Sequence, residues 1–494
     1  MLRSKTLASL PCGVAAILTL LPGLGGCGGD ESTPAPPAPP PVTRFEPAGC
    51  GFAVAPRPEY TDVSVGSTEV GATPNVRRVR LGLGGNVGRG AEARVDPSRS
   101  AGFAWQTDQG TKVSEVQWGS SPDPATWPVE NRTSGYTWNT PPGQINPQGE
   151  ARMHEAYVCG LTPDTTYYYR VGGGPAGKEV WSEVHSFKTT PSDPGAGVTI
   201  AVSGDSRGQH NNAWRLIQRR VMAEAVDLHL FSGDVLDLAT DQGEWERWID
   251  AAWKDDGGGL LTLGQVLMLP AHGNHENHSA LFFGNFVMPQ DLTRFPKYTE
   301  LFFSVDVGPV HVVVIDDAWI VNPTDDPEFT AAFEPWLRED LKAANDNRAE
   351  VPWIVTVQHH SAYSSSNHGN DTNVLRGRAF LGPIYDEYHV DLALAGHDHN
   401  YERTKPLTTG AGGVPTVQQS FADGTVYLVC AGAGAEPYAA AVSDFTELSR
   451  DYKEGGALGF YGILKATKAA LTLEAHELRV DATDPVFDTL TITK

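Results

Sequence analysis

The sequence predicts an all-β sandwich followed by a larger α/β (α+β) domain. Three observations carry this prediction. Residues of about 70–190 hold short, aromatic-rich alternating runs separated by turn residues. From Val198 onward, apolar runs alternate with stretches of helical period. Five of those runs stop abruptly at a side chain able to bind a metal.

The elements follow in chain order. Arg3 and Lys5 precede an apolar centre, Val14–Leu21, that is too short to span a bilayer, and Leu24-Gly25-Gly26-Cys27 comes next. Residues 1–26 are therefore expected to be a signal peptide. The pattern resembles a bacterial lipoprotein processing site, which implies Cys27 as the lipid-bearing first residue of the mature chain. Residues 27–69 form a Pro-rich linker and lead-in, with Glu31–Val42 as an extended spacer. In the sandwich of 70–190, Ser100–Thr107, Ser114–Gly119 and Thr165–Val171 alternate as strands, and Trp181–Thr189 closes the unit. Pro191–Gly197 is the boundary.

Residues 198–494 make the second domain. Asn212 caps a helix whose apolar face is Trp214, Ile217, Val221 and Ala225. A second helix begins near Asp326-Pro327, with Phe329, Phe333, Trp336, Leu337 and Leu341 inward. Val426–Cys430, Tyr461–Leu464, Leu471–Ala475 and Thr489–Thr493 return to strands. Ala239–Gly264 and Tyr363–Arg378 are expected as loops at the rim formed by the strand ends. Trp245, Trp248 and Trp253 in the first of these suit packing better than substrate contact.

Composition narrows the function. With 37 Lys and Arg against 60 Asp and Glu, the net charge is −23. Such acidity argues against nucleic-acid backbone binding, which needs clustered cations. After residue 26 no run approaches the roughly 18 apolar residues of a membrane-spanning helix. Removing Cys12 and acylating Cys27 leaves Cys50, Cys159 and Cys430. That odd number permits one internal disulfide at most, and the sequence does not choose the pair.

The five runs deliver a consistent set of ligands. Val198–Ser203 leads to Gly204-Asp205, and Val226–Ser232 leads to Gly233-Asp234. Val266–Pro270 precedes His272-Gly273-Asn274-His275-Glu276. Trp353–Gln358 leads to His359-His360, and Asp391–Ala395 leads to Gly396-His397-Asp398-His399. Open α/β sheets bind ligands beyond the carboxyl ends of their strands. Hard oxygens mixed with imidazoles suit two divalent or trivalent metal ions.

This order resembles the calcineurin-like metallophosphoesterases, and most nearly their purple acid phosphatase branch. Trp105-Gln106-Thr107-Asp108 and Leu161–Tyr169 are similar to motifs of the fibronectin III-like sandwich that precedes the metallophosphoesterase sandwich in that branch. Gly396–Arg403 is similar to its last metal motif. The resemblance implies Asp234 as the carboxylate bridging both metals. It implies Asp205 and His399 on the first metal, and Asn274, His359 and His397 on the second. His359 and His360 compete for one role; His359 is preferred because Tyr363 and His368 then fall at the family's offsets. His275 and His368 are implied to bind phosphate or protonate the leaving oxygen. Glu276 is expected to orient a ligand or His275, and Tyr401 and Arg403 to brace their loop.

Two departures from the family bear on the first metal. The first motif is Gly-Asp-Ser-Arg, and Asp237 stands where the branch has a Tyr. The missing tyrosinate implies a colourless protein in which ferric iron (Fe) is less favoured and Mn, Zn, Mg or Fe(II) become plausible. Asp237 is a candidate for the vacated ligand position and equally for an acid of the surrounding loop. Arg207 is a candidate for bidentate binding of a substrate phosphate. The expected function is hydrolysis of small phosphate monoesters by a metal-activated hydroxide, in a protein tethered to the bacterial cell envelope or secreted. Phosphodiester or nucleotide pyrophosphate cleavage is the second reading. A non-catalytic envelope lipoprotein is the third.

Overall fold

Alternating side chains fold the N-terminal part into two facing antiparallel sheets. The computed structural model describes residues 44–141, 151–207, 213–253, 262–452, 456–481 and 483–494. The expected signal peptide, the Cys27 lipidation site, the Pro-rich spacer and the Asn212 cap lie outside these residues. One sheet runs Thr61–Val65, Tyr136–Asn139, Arg152–Cys159, Ser100–Thr107, Arg77–Gly82. The other runs His185–Lys188, Thr166–Gly173, Glu115–Gly119, Arg132–Ser134. Between them Phe103, Trp105, Val116, Tyr169 and Val171 are buried. The first sheet begins at Thr61, ahead of the expected start near 70. A disulfide joins Cys50 to Cys159, which settles the pairing the sequence left open and leaves Cys430 free and buried.

The second domain stacks a six-stranded sheet and a seven-stranded sheet. Val198–Ser203, Leu228–Phe231 and Met268–Pro270 are parallel neighbours in the first. Val310–Ile315, Trp353–His360, Leu392–Gly396 and Val426–Cys430 are parallel neighbours in the second. Such strands are buried on both faces, so they read as continuous apolar runs. Register aligns their ends: Ser203 pairs with Phe231, Phe231 with Pro270, and His360 with Gly396. The residues just past each end therefore collect along one rim.

Several boundaries differ from expectation. The hairpin Phe302–Val307 and Val310–Ile315, turning at Gly308-Pro309, has no counterpart in the sequence reading. Helix Arg215–Ala223 stops before Ala225, which is exposed, because only Trp214, Ile217 and Val221 face the core. Helix Phe329–Asp346 starts two residues after Pro327, and all five expected face residues are buried. Ala239–Gly264 is not a plain loop: Gln242–Trp253 and Thr262–Gln265 are helical. Trp245 and Trp248 are fully buried there, and Trp248 stacks on Trp214 at 4.6 Å. These rings pack, as expected. Helix Thr372–Tyr388 likewise takes over the second half of Tyr363–Arg378.

The sandwich is keyed to the second domain by polar contacts. Arg78 pairs with Asp250 through Nε and Nη2 at 2.9 and 3.0 Å. Tyr169 donates its hydroxyl to the Gly264 carbonyl at 2.6 Å. Among the described residues, no helix is long and apolar enough to cross a membrane.

Candidate metal centre

The six predicted ligands meet at the rim. His359 leaves the end of Trp353–His360 with its ring fully buried. Its Nδ1 donates to the Ser232 carbonyl at 2.8 Å, so its Nε2 carries a bare lone pair. That lone pair faces Asn274 Oδ1 at 3.0 Å and Asp234 Oδ1 at 3.3 Å. Burial holds the imidazole below its ordinary pKa, which favours the neutral ring whose single N–H is spent on Ser232. Converging acceptors without a donor are a site for a cation. His397 completes the group, with Nδ1 3.0 Å from Asn274 Oδ1. His360 turns away to Asp317 at 2.9 Å, consistent with the preference for His359.

The neighbouring position has the same logic. His399 donates from Nδ1 to the Glu436 carbonyl at 2.8 Å and turns Nε2 inward, 3.6 Å from Asp205 Oδ1. Asp205 is fully buried, and its Oδ2 has no hydrogen-bond partner. Burial, and then the Asp234 charge, push the Asp205 carboxyl well above its ordinary range. Burial works against ionised Asp234 too, yet its carboxyl is held below the usual value, with the His275 backbone N–H donating to its Oδ1 at 3.0 Å and the Arg207 charge nearby. Asp205, Asp234 and His359 offer atoms within 4.8 Å of one another. This donor set fits a two-metal centre, with Asp234 between the two positions.

The loops bearing these ligands are strained and pinned. Asp205, Asp234 and His397 adopt φ of 60°, 53° and 71°, in the left-handed region that non-glycine residues avoid. Glu276 holds the turn: its carboxylate accepts N–H bonds from Gly273, Asp234 and Val235 at 2.7, 2.9 and 2.9 Å. Asp205 Oδ1 accepts the His397 N–H at 3.0 Å. At Gly396, a Cβ would collide with Asp205 Oδ2.

The flanking groups have definite places. His275 donates from Nδ1 to the Asp237 carbonyl at 2.8 Å and turns Nε2 toward the rim, 4.0 Å from Asp234 Oδ2. His368 pairs Nδ1 with Asp371 at 2.8 Å, and its ring lies 4.5 Å from that of His397. Asp237 lies apart from the converging ligands. Its half-exposed carboxylate accepts Arg207 Nε at 3.0 Å and is not among the converging donors. Arg207 reaches the centre, with Nη1 3.3 Å from His399 Nε2 and 3.8 Å from Asp234 Oδ2. Tyr401 and Arg403 both bond Asp488, away from the ligands, and brace the loop as expected.

Two features escaped sequence reasoning. Tyr438 stacks on His399 at 4.2 Å, and Glu436 orients it. Both come from a loop without a motif. His272, His278 and Asp316 form another compact cluster. There the His278 N–H donates to His272 Nε2 at 2.7 Å, which leaves the ring proton of His272 on Nδ1, facing Asp316 at 3.6 Å. A proton occupies the place a cation would need, so this cluster braces the Asn274 loop.

Comparison with known proteins agrees with this geometry. Residues 93–189 match the family model described as the N-terminal domain of purple acid phosphatase, and residues 198–401 match that of calcineurin-like phosphoesterase. Purple acid phosphatase 21 of Arabidopsis thaliana is 26% identical over 315 residues, covering 61% of this chain and 63% of its own. Acid phosphatase type 7 of Danio rerio is 28% identical over 290 residues, covering 53% of this chain and 60% of its own. The chain thus spans about three fifths of the length of these curated relatives. The fold is similar to that of a purple acid phosphatase from yellow lupin (Lupinus luteus) seeds, with a TM-score of 0.63 at 18% identity over 85% of this chain and 74% of that one.

Proposed function

The chain is a calcineurin-like, purple acid phosphatase-like protein, and on that premise we propose that it is a metal-dependent phosphohydrolase of the bacterial cell envelope that cleaves phosphate monoesters. The observation that carries this reading is the bare Nε2 of His359, set against Asn274 and Asp234 with no proton between them. Asp205, Asp234 and His399 would hold one cation, and Asp234, Asn274, His359 and His397 the other. When bound, the pair neutralises phosphate charge and acidifies a water molecule.

The chain's own residues do the rest. His275 and His368 stand at the rim with Nδ1 engaged, so each presents Nε2 for a proton owed to the leaving oxygen. The Arg207 guanidinium, tethered by Asp237, lies close enough to receive the phosphate. Envelope placement is supported by the Cys50–Cys159 disulfide, which belongs to an oxidising compartment, and by the N-terminal pattern ending at Cys27. The lipid would tether the protein to a membrane surface.

The test compares mono- and bis-p-nitrophenyl phosphate with the metal-loaded protein. The monoester is expected to turn over faster, and Asn274→Ala is expected to abolish both activities. Preference for the diester would replace the reading with a phosphodiesterase. Equal turnover by wild type and Asn274→Ala would overturn it. A Cys27→Ser protein that still fractionates with membranes would remove the lipid anchor.

A further inference from the structure

Arg207 stands on an atom that the first metal also requires. His399 donates from Nδ1 to the Glu436 carbonyl, so its Nε2 has one lone pair to give. Arg207 Nη1 takes that lone pair at 3.3 Å and lies 3.8 Å from Asp234 Oδ2. A cation bound by His399 and Asp234 needs the same lone pair and the same carboxylate. One lone pair cannot serve both, and two positive charges a few ångströms apart repel. The Arg207–His399 contact and a filled first position are therefore mutually exclusive.

Release does not send the side chain into solvent. Asp237 holds Nε at 3.0 Å through a contact that the metal position does not touch. The Arg207 backbone N–H donates to the Asp234 carbonyl at 3.4 Å, so the stem starts beside the loop that carries the bridging carboxylate. With Nε tethered, the two terminal nitrogens remain as a free fork. A planar fork of N–H donors matches two oxygens of a phosphate.

We propose that Arg207 is a metal-gated phosphate clamp: without the first metal it occupies His399, and filling that position turns its guanidinium, still tethered by Asp237, to a phosphate. This rests on the phosphohydrolase reading and adds an order of events to it. The second position, free of any competing cation, fills first. The first fills less tightly, because each metal there displaces an arginine.

The experiment is calorimetric titration of the metal-free full chain with Mn²⁺, followed by titration of the loaded protein with inorganic phosphate. Wild type is expected to show two unequal Mn²⁺ binding events. Arg207→Ala should tighten the weaker event by about tenfold or more, the scale of one charge-assisted hydrogen bond, and leave the stronger one unchanged. The same variant should weaken phosphate binding to the loaded protein by about tenfold or more. Arg207→Lys keeps the charge without the fork and should fall between the two. Asp237→Ala should weaken phosphate binding while its Mn²⁺ profile keeps two events. An unchanged weaker Mn²⁺ event in Arg207→Ala, or unchanged phosphate affinity, overturns the proposal. Absence of monoester turnover in wild type, with the two-step Mn²⁺ profile and its response to Arg207→Ala intact, would count against the proposed function while leaving the gate standing.

Discussion

His359 Nε2 and Asn274 Oδ1 face each other at 3.0 Å with neither able to donate. Removing one of these two acceptors should leave the second metal weakly held. Asn274→Ala is expected to lose more than about 100-fold in metal affinity and turnover, since even residues that only orient a ligand cost about 10–100-fold. Equilibrium dialysis with metal analysis reads the first effect, and phosphatase assay the second. Stripping the wild-type protein with a chelator should lower its thermal midpoint, because bound metal stabilises the native state by mass action. Asn274→Ala should respond much less.

Glu276 is predicted to act through the backbone. Its carboxylate collects three N–H bonds from the turns around Gly233 and Gly273. Glu276→Gln leaves one oxygen and puts an amide N–H against a backbone N–H. The expected cost is about 1–3 kcal/mol of stability and about 10–100-fold in metal affinity. Denaturant titration beside metal titration checks both, and unchanged values for the two would contradict the role.

The sandwich carries a pH dependence of its own. Burial raises the Glu155 carboxyl from 4.5 to about 7, although the Tyr136 and Tyr157 hydroxyls both donate to it. The native state thus holds a proton that the unfolded chain has released. That contribution is fully present below about pH 4.5 and is lost as pH rises through about 7. Thermal unfolding across this window should show stability falling by as much as about 3 kcal/mol from this group. Glu155→Gln, neutral at every pH, should flatten the profile.

The Cys50–Cys159 bridge closes a loop with a sequence separation of 109. Replacing both cysteines with Ala should cost about 2–4 kcal/mol. Reductant should lower the wild-type melting temperature toward that of the double variant and leave the variant unmoved. Cys430, buried at the end of Val426–Cys430, should stay unreactive to thiol reagents in the native state.

Much of the site was readable because parallel strands announce themselves twice. Val198–Ser203 and Trp353–His360 are largely buried on both faces, so they appear as mainly apolar runs, and their ends carry the chemistry. The order of Asp205, Asp234, Asn274, His359, His397 and His399 along the chain named six residues that the fold brings to one rim. The hairpin at Gly308-Pro309, the helix over Gln242–Trp253 and the orienting pair Glu436 and Tyr438 were not readable in this way. Their contributions are carbonyls, ring faces and buried indoles, which have no fixed spacing from a motif.

The chain alone determined which side chains gather, because strand period and strand termini are local properties. It also determined that Arg207 and Asp237 break the expected pattern. Folding decided what those two do. Arg207 comes within reach of His399, 192 positions away, and Asp237 pairs with the arginine. Such a pairing depends on where two strand ends lie in space, and on which carbonyl fixes the proton of each imidazole. Those are distances between remote segments, and only the packed sheets set them.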